Sequence, residues 1–185
     1  MSDSKATSEA ASGTNPIVNL QRIPLEPGPS RGRFRSRVGR AAKRAGGEKI
    51  GLNVFEVEPG CTAFPYHWHA VVEESILIVE GEGTLRLGGE TYSVGPGDYI
   101  ALPTGPEHAH QLVNTGAGVL RYYCFSTQAS TEVCGYPDSR KIGVFVDMGE
   151  APRYRALYLE DDKRDYFEGE ALASEAASEE SSSSR

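Results

Sequence analysis

Between residues 49 and 146 the chain breaks into short runs of strand-forming residues, parted by glycine and proline. Residues 51–57 (G-L-N-V-F-E-V) end at the turn sequence Glu58-Pro59-Gly60. An apolar run at 75–79 follows. Next come 84–87, 90–94, 99–102, 111–113, 119–126 and 142–146, each bounded by turn residues. Gly88-Gly89 sits between two of these runs as a two-residue hairpin signal. No helix-period segment of useful length interrupts them. The pattern predicts one all-β barrel and excludes alternating β-α-β units.

The flanks read differently. Residues 15–29 are punctuated by proline and carry Ile17, Val18, Leu20 and Ile23. They are expected to form an extended arm docked on a sheet, of this chain or of a neighbouring subunit. Residues 31–45 alternate basic and small side chains, as a solvated loop or short helix does. Contact with an anion or a nucleic acid is the lesser alternative, because Phe34 is the one aromatic among the charges. The organisation expected is therefore a disordered tail at 1–14, an arm and basic segment at 15–48 and the barrel at 49–146. A C-terminal extension packing on the barrel at 147–170 and a second disordered tail at 171–185 complete it.

Composition narrows the picture. A length of 185 residues suits one domain, and the Ser/Ala/Glu-rich ends account for a hydrophobic content of only 38%. A net charge of −7 argues against a general nucleic-acid binder. Cys61, Cys124 and Cys134 form no C-x-x-C pair, and no apolar leader or membrane-length run is present. A cytoplasmic, reducing location without membrane contact is the expectation.

The chain has four histidines, His67, His69, His108 and His110, all within 44 residues of the barrel region. His67 and His69 are two apart, so on a strand both imidazoles face the same side. Glu74 opens the next apolar run, and His110 opens another. Three imidazoles and a carboxylate suit one divalent first-row ion such as Fe, Mn, Zn or Ni. No cysteine stands at ligand spacing, which argues against a closed structural zinc site.

These stretches resemble the paired motifs of the cupin superfamily. The first motif, G-x5-H-x-H-x3/4-E-x6-G, matches Gly60, His67, His69, Glu74 and Gly81, with six residues rather than five after Gly60. The second, G-x5-P-x-G-x2-H-x3-N, matches Gly97, Pro103, Gly105 and Asn114. Its histidine is ambiguous. His108 fits the spacing from Gly105 and His110 the spacing to Asn114. His110 is preferred, because H-x3-N lies on a strand while the preceding turn can absorb an insertion. Glu73 is the rival of Glu74, and the spacing to Gly81 decides for Glu74.

The resemblance implies a double-stranded β-helix, or jelly-roll barrel, that assembles as a homodimer and holds a metal on His67, His69, Glu74 and His110. Residues 136–141 and 165–170 are similar to a group of small single-barrel cupins, some bearing provisional sugar-phosphate-isomerase labels. With them the resemblance covers about residues 49–170. The expected function is a metal-dependent enzyme on a small polar substrate, of isomerase or oxygenase type. The alternative is a ligand-binding or sensing module. No catalytic residue is assigned. Glu73, His108, Tyr66 and Tyr122 are the candidate acids or bases. Arg86 and Arg121, expected to face solvent, are the barrel arginines that could grip a phosphate.

Overall fold

Strand β3 (Ile50–Val57) and strand β10 (Leu120–Thr127) run antiparallel with Tyr122 opposite Phe55 and Leu120 opposite Val57. Alternate residues of β10 (Leu120, Tyr122 and Cys124) are buried, as a half-buried strand requires. The computed structural model to which they belong describes residues 15–147 and 153–170. The tails expected at 1–14 and 171–185 lie outside the described residues.

The other strands, in chain order, are β1 (Glu26–Pro27), β2 (Arg37–Arg40), β4 (Trp68–His69), β5 (Glu74–Glu80), β6 (Gly83–Leu87), β7 (Glu90–Val94) and β8 (Tyr99–Leu102). They continue with β9 (His110–Val113), β11 (Thr131–Tyr136), β12 (Lys141–Val146) and β13 (Tyr154–Leu159). One sheet has the order β1-β2-β3-β10-β5-β8. The sheets β13-β12-β11-β4 and β7-β6-β9 are joined by a bridge between His67 and His110 and form the facing layer. Phe55, Ile78 and Leu120 from the first layer meet Leu85, Val94 and Leu112 from the second in one core. Each such side chain contributes about 1.5–3 kcal/mol when fully buried. The result is an all-β barrel, as the sequence pattern predicts.

Strand pairing begins upstream of residue 49. The arm lies on this chain's own sheet, where Val18, Leu20, Ile23 and Leu25 pack against Val54 and Ala41. Residues 37–45 form β2 and a five-residue helix, α1 (Ala41–Ala45), closed by Gly46 at φ 81°. The arginines here are engaged locally: Arg40 and Arg44 pair with Glu26, and Arg37 donates to the Leu25 carbonyl. Arg121 is covered by the arm instead of facing solvent, donating to Glu56 at 2.5 Å and to the Leu20 carbonyl at 2.8 Å. At the other end, 154–159 extend the sheet as β13, hydrogen-bonded to β12, with Leu157 and Tyr158 exposed. Among the described residues no helix is long and apolar enough to cross a membrane.

Candidate metal centre

Strand β4 is only two residues long, but its pairing fixes four residues. Cys134 stands opposite His69 and Gly135 opposite Trp68. His67 and His69 project to one side. Trp68 lies across Gly135, where an added Cβ would come within 2.1 Å of the indole. Glu74 and His110 are the first residues of β5 and β9. The backbones of His67 and His110 exchange two hydrogen bonds, at 3.1 and 2.7 Å.

The structure gathers His67, His69, Glu74 and His110, with one potential ligand atom from each, all within 4.8 Å of one another. The Nε2 atoms of His69 and His110 lie 3.4 and 3.5 Å from Oε2 of Glu74. Each ring is anchored through its other nitrogen. Nδ1 of His67 lies 2.9 Å from the Pro65 carbonyl, and Nδ1 of His110 lies 3.0 Å from the His108 carbonyl. A carbonyl can only accept, so it fixes the proton on Nδ1 and leaves Nε2 with a lone pair. His69 uses Nδ1 toward Cys134 Sγ at 3.4 Å and Glu132 Oε2 at 3.5 Å.

His108 and Glu73 stay outside this group. Residues 106–108 form a 3-10 turn, which takes up the extra residues between Gly105 and His110. The His108 ring is 3.7 Å from Glu107. Glu73 is exposed and tied to Thr127 through its backbone N–H. Tyr66 lies beneath the Arg86 guanidinium, 4.1 Å from the ring centre. Tyr122 is buried and faces the centre.

The electrostatics follow from crowding. Burial, and then the charges of His110 and His69, lower His67 to about 4. Burial also acts to lower His69, but its contacts with Cys134 and the Glu74 carboxylate outweigh that and raise it to about 10. Burial would raise Glu74, yet the close approach of the His110 and His69 rings pulls it well below the usual carboxylate range. Burial pushes the Tyr122 phenol and the Cys124 thiol well up, and the Glu74 charge adds to both.

Whether the residues fit a metal is tested by two atoms. Nε2 of His69 and Nε2 of His110 are buried without a hydrogen-bond partner. A buried polar atom left unpaired costs about 1–3 kcal/mol. An ion on these nitrogens would remove that cost, and three imidazoles with one carboxylate are a suitable donor set.

Beside the ligands lies a cavity of about 30 Å3, walled by Thr62, Phe64, Ile76, Leu112, Tyr122 and Cys124. That is room for roughly one or two water-sized molecules. Among the described residues no Lys or Arg lines it. Arg86 is held by Asp138 through two bonds of 2.8 and 3.1 Å and by Gln111 at 3.2 Å. A larger groove of about 310 Å3 lies elsewhere, beneath the arm, lined by Arg35, Arg37, Glu56 and Glu58 among others. It contains none of the imidazoles, so the chemistry belongs to the smaller cavity.

Strand β11 adds neighbours of the site that the sequence did not place there. Glu132, Cys134 and Tyr136 alternate along it, and His69 contacts the first two. The Tyr136 ring stacks beside His67 at 6.1 Å between centres, and burial, then the nearby Cys134, raises its phenol to about 12. The period-two pattern E-x-C-x-Y was the available signal.

A sequence model of the cupin domain matches residues 53–126. Over 60 residues the chain is 35% identical to the quercetin 2,3-dioxygenase of Bacillus subtilis (strain 168). That match takes in 32% of this chain and only 18% of that protein's length. Among solved structures, a provisional sugar phosphate isomerase of Acidithiobacillus ferrooxidans superposes with a TM-score of 0.72 at 21% identity, covering 82% of this chain and 96% of that one. A cupin-superfamily sugar phosphate isomerase of Silicibacter pomeroyi gives 0.69 at 23% identity, covering 83% and 98%. At these identities the likeness to solved structures is one of fold.

Proposed function

Because this chain is a cupin-superfamily β-barrel protein, with the cupin domain at residues 53–126, we propose that it is a metal-dependent enzyme acting on a small polar substrate. The observation that carries this is the convergence of three imidazoles on one carboxylate, with two buried Nε2 atoms unpaired. His67, His69, Glu74 and His110 would hold one divalent transition ion, Fe, Mn, Zn or Ni. Such an ion, when bound, supplies Lewis acidity toward a substrate oxygen. The chain supplies the rest. The Pro65 and His108 carbonyls keep two imidazoles in the ligating tautomer. Phe64, Ile76 and Leu112 restrict the water beside them.

Of the two chemistries, the oxygenase type fits the cavity better than isomerisation of a phosphorylated sugar. A phosphate needs a cationic grip. Arg86 is engaged by Asp138 and Arg121 by Glu56. The small, largely apolar cavity admits a molecule of dioxygen size or one end of a larger substrate. The partial similarity to a dioxygenase points the same way. We also take the chain to be a cytoplasmic homodimer. Its three cysteines are unpaired and buried. Strand β13 leaves an open sheet edge for a second copy.

The test is elemental analysis of the purified protein beside His69→Ala, His110→Ala and His108→Ala variants. Wild type and His108→Ala are expected to hold a single equivalent of metal after reconstitution, and the other two to lose it. Oxygen consumption during substrate screening then separates oxygenase from isomerase chemistry. A wild-type protein that stays empty after reconstitution with Fe(II), Mn and Zn overturns the enzyme reading in favour of a ligand-binding module.

A further inference from the structure

The loop 70–73 joins His69 to Glu74 and so sets the spacing of two of the four gathered residues. Ala70, Val71 and Glu73 are exposed, and Val72 is half-buried. Little apolar burial holds the loop in shape. Its successive amides instead converge on one side chain from another strand. Oε1 of Glu132 accepts from the N–H groups of Ala70 at 3.0 Å, Val71 at 3.1 Å and Val133 at 2.8 Å. Oε2 accepts from Val72 at 2.6 Å and lies 3.5 Å from His69 Nδ1. Glu132 is itself buried, at 9% exposure.

We propose that Glu132 is a positioning residue for the metal centre, clamping the 70–72 backbone and orienting His69 so that His69 and Glu74 meet at ligating distance. This rests on the metal reading above. A loop folded into a concave row of N–H groups needs an anion to hold that shape, and charge-assisted bonds to a carboxylate are the stronger kind. The same carboxylate, together with Cys134, faces Nδ1 of His69. An acceptor there keeps the proton on Nδ1 and directs the Nε2 lone pair inward. Glutamine in its place would keep the shape but lose the charge and one acceptor oxygen, turning N–H toward N–H.

The test is cobalt(II) binding to wild type, Glu132→Gln and Glu132→Asp, by competition with a chelator, together with the visible spectrum of each cobalt form. Thermal melts of the metal-free proteins control for folding. Glu132→Gln is expected to bind cobalt about 10–100-fold more weakly, the scale typical of residues that orient metal ligands. A shifted ligand-field spectrum should accompany this, with Glu132→Asp falling between. A merely structural role would lower the melting temperature and leave the spectrum unchanged. A folded Glu132→Gln with wild-type affinity and spectrum overturns the proposal. If Glu132→Gln does not fold, the Asp variant decides: wild-type affinity and spectrum overturn the proposal, and weakened binding with a shifted spectrum supports it. Absence of cobalt binding by wild type overturns the metal reading itself, a result distinct from either.

Discussion

Asn114 is fully buried and uses its whole amide. Its Nδ2 donates to the carbonyls of Val57 and Gly118 at 2.8 Å each, and its Oδ1 accepts from the Gly116 N–H at 3.0 Å. It closes the turn that follows β9 and so fixes the strand that begins with His110. Its part in the second motif is therefore structural. Asn114→Ala is expected to cost about 2–3 kcal/mol in urea unfolding, through the carbonyls and amide it strands. Metal stoichiometry should be unchanged in the folded fraction. The histidine ambiguity also resolves at this scale. His108 reaches the centre with its backbone carbonyl, through Nδ1 of His110, while its ring stays beside Glu107. The resemblance to the second cupin motif implies that one of the two histidines points inward. Which one depends on the 3-10 turn of residues 106–108, and turn geometry leaves no periodic trace.

At the scale of elements, legibility follows length and periodicity. Strands β3, β5 and β10 span seven or eight residues with clear alternation or apolar runs, and all stood out in the sequence. Gly88 and Gly89, at φ 58° and 92°, make the hairpin turn between β6 and β7 that their pairing suggested. Strands β4 and β11 did not stand out. The first is two residues long, and the second contains Gly135, which reads as a turn signal. The glycine is there because Trp68 occupies the space of a side chain. Gly135→Ala is accordingly expected to destabilise the protein by about 1–3 kcal/mol, the usual cost of overpacking. Because Trp68 sits between His67 and His69, the same variant should also weaken metal binding. Chemical denaturation and a metal titration on one preparation check both.

For the whole molecule, the barrel closes its core well but leaves a flank open. Among the described residues strand β13 ends its sheet, and Leu157 and Leu159 on one face are 56% and 55% exposed. An uncovered apolar edge strand invites pairing with another chain. Size-exclusion chromatography with light scattering is expected to show a dimer at micromolar concentration. Leu157→Lys combined with Leu159→Lys should give a monomer that still binds metal. A wild-type monomer would remove the dimer reading. The arm gives less of an invitation, because Val18, Leu20, Ile23 and Leu25 are already used on the chain's own sheet, although Ile17 stays exposed. Proline spacing marked it as extended, yet composition could not say whose sheet it would cover.

The clamp between Glu132 and the 70–72 amides has a consequence for how this barrel could be cut or transplanted. All four gathered residues lie inside the stretch 53–126 that matches the cupin domain, whereas Glu132 lies past its end. A graft of that stretch into another barrel would carry every donor atom and leave behind the group that spaces two of them. The portable unit of this centre is thus longer than the recognisable one, and its boundary falls after β11.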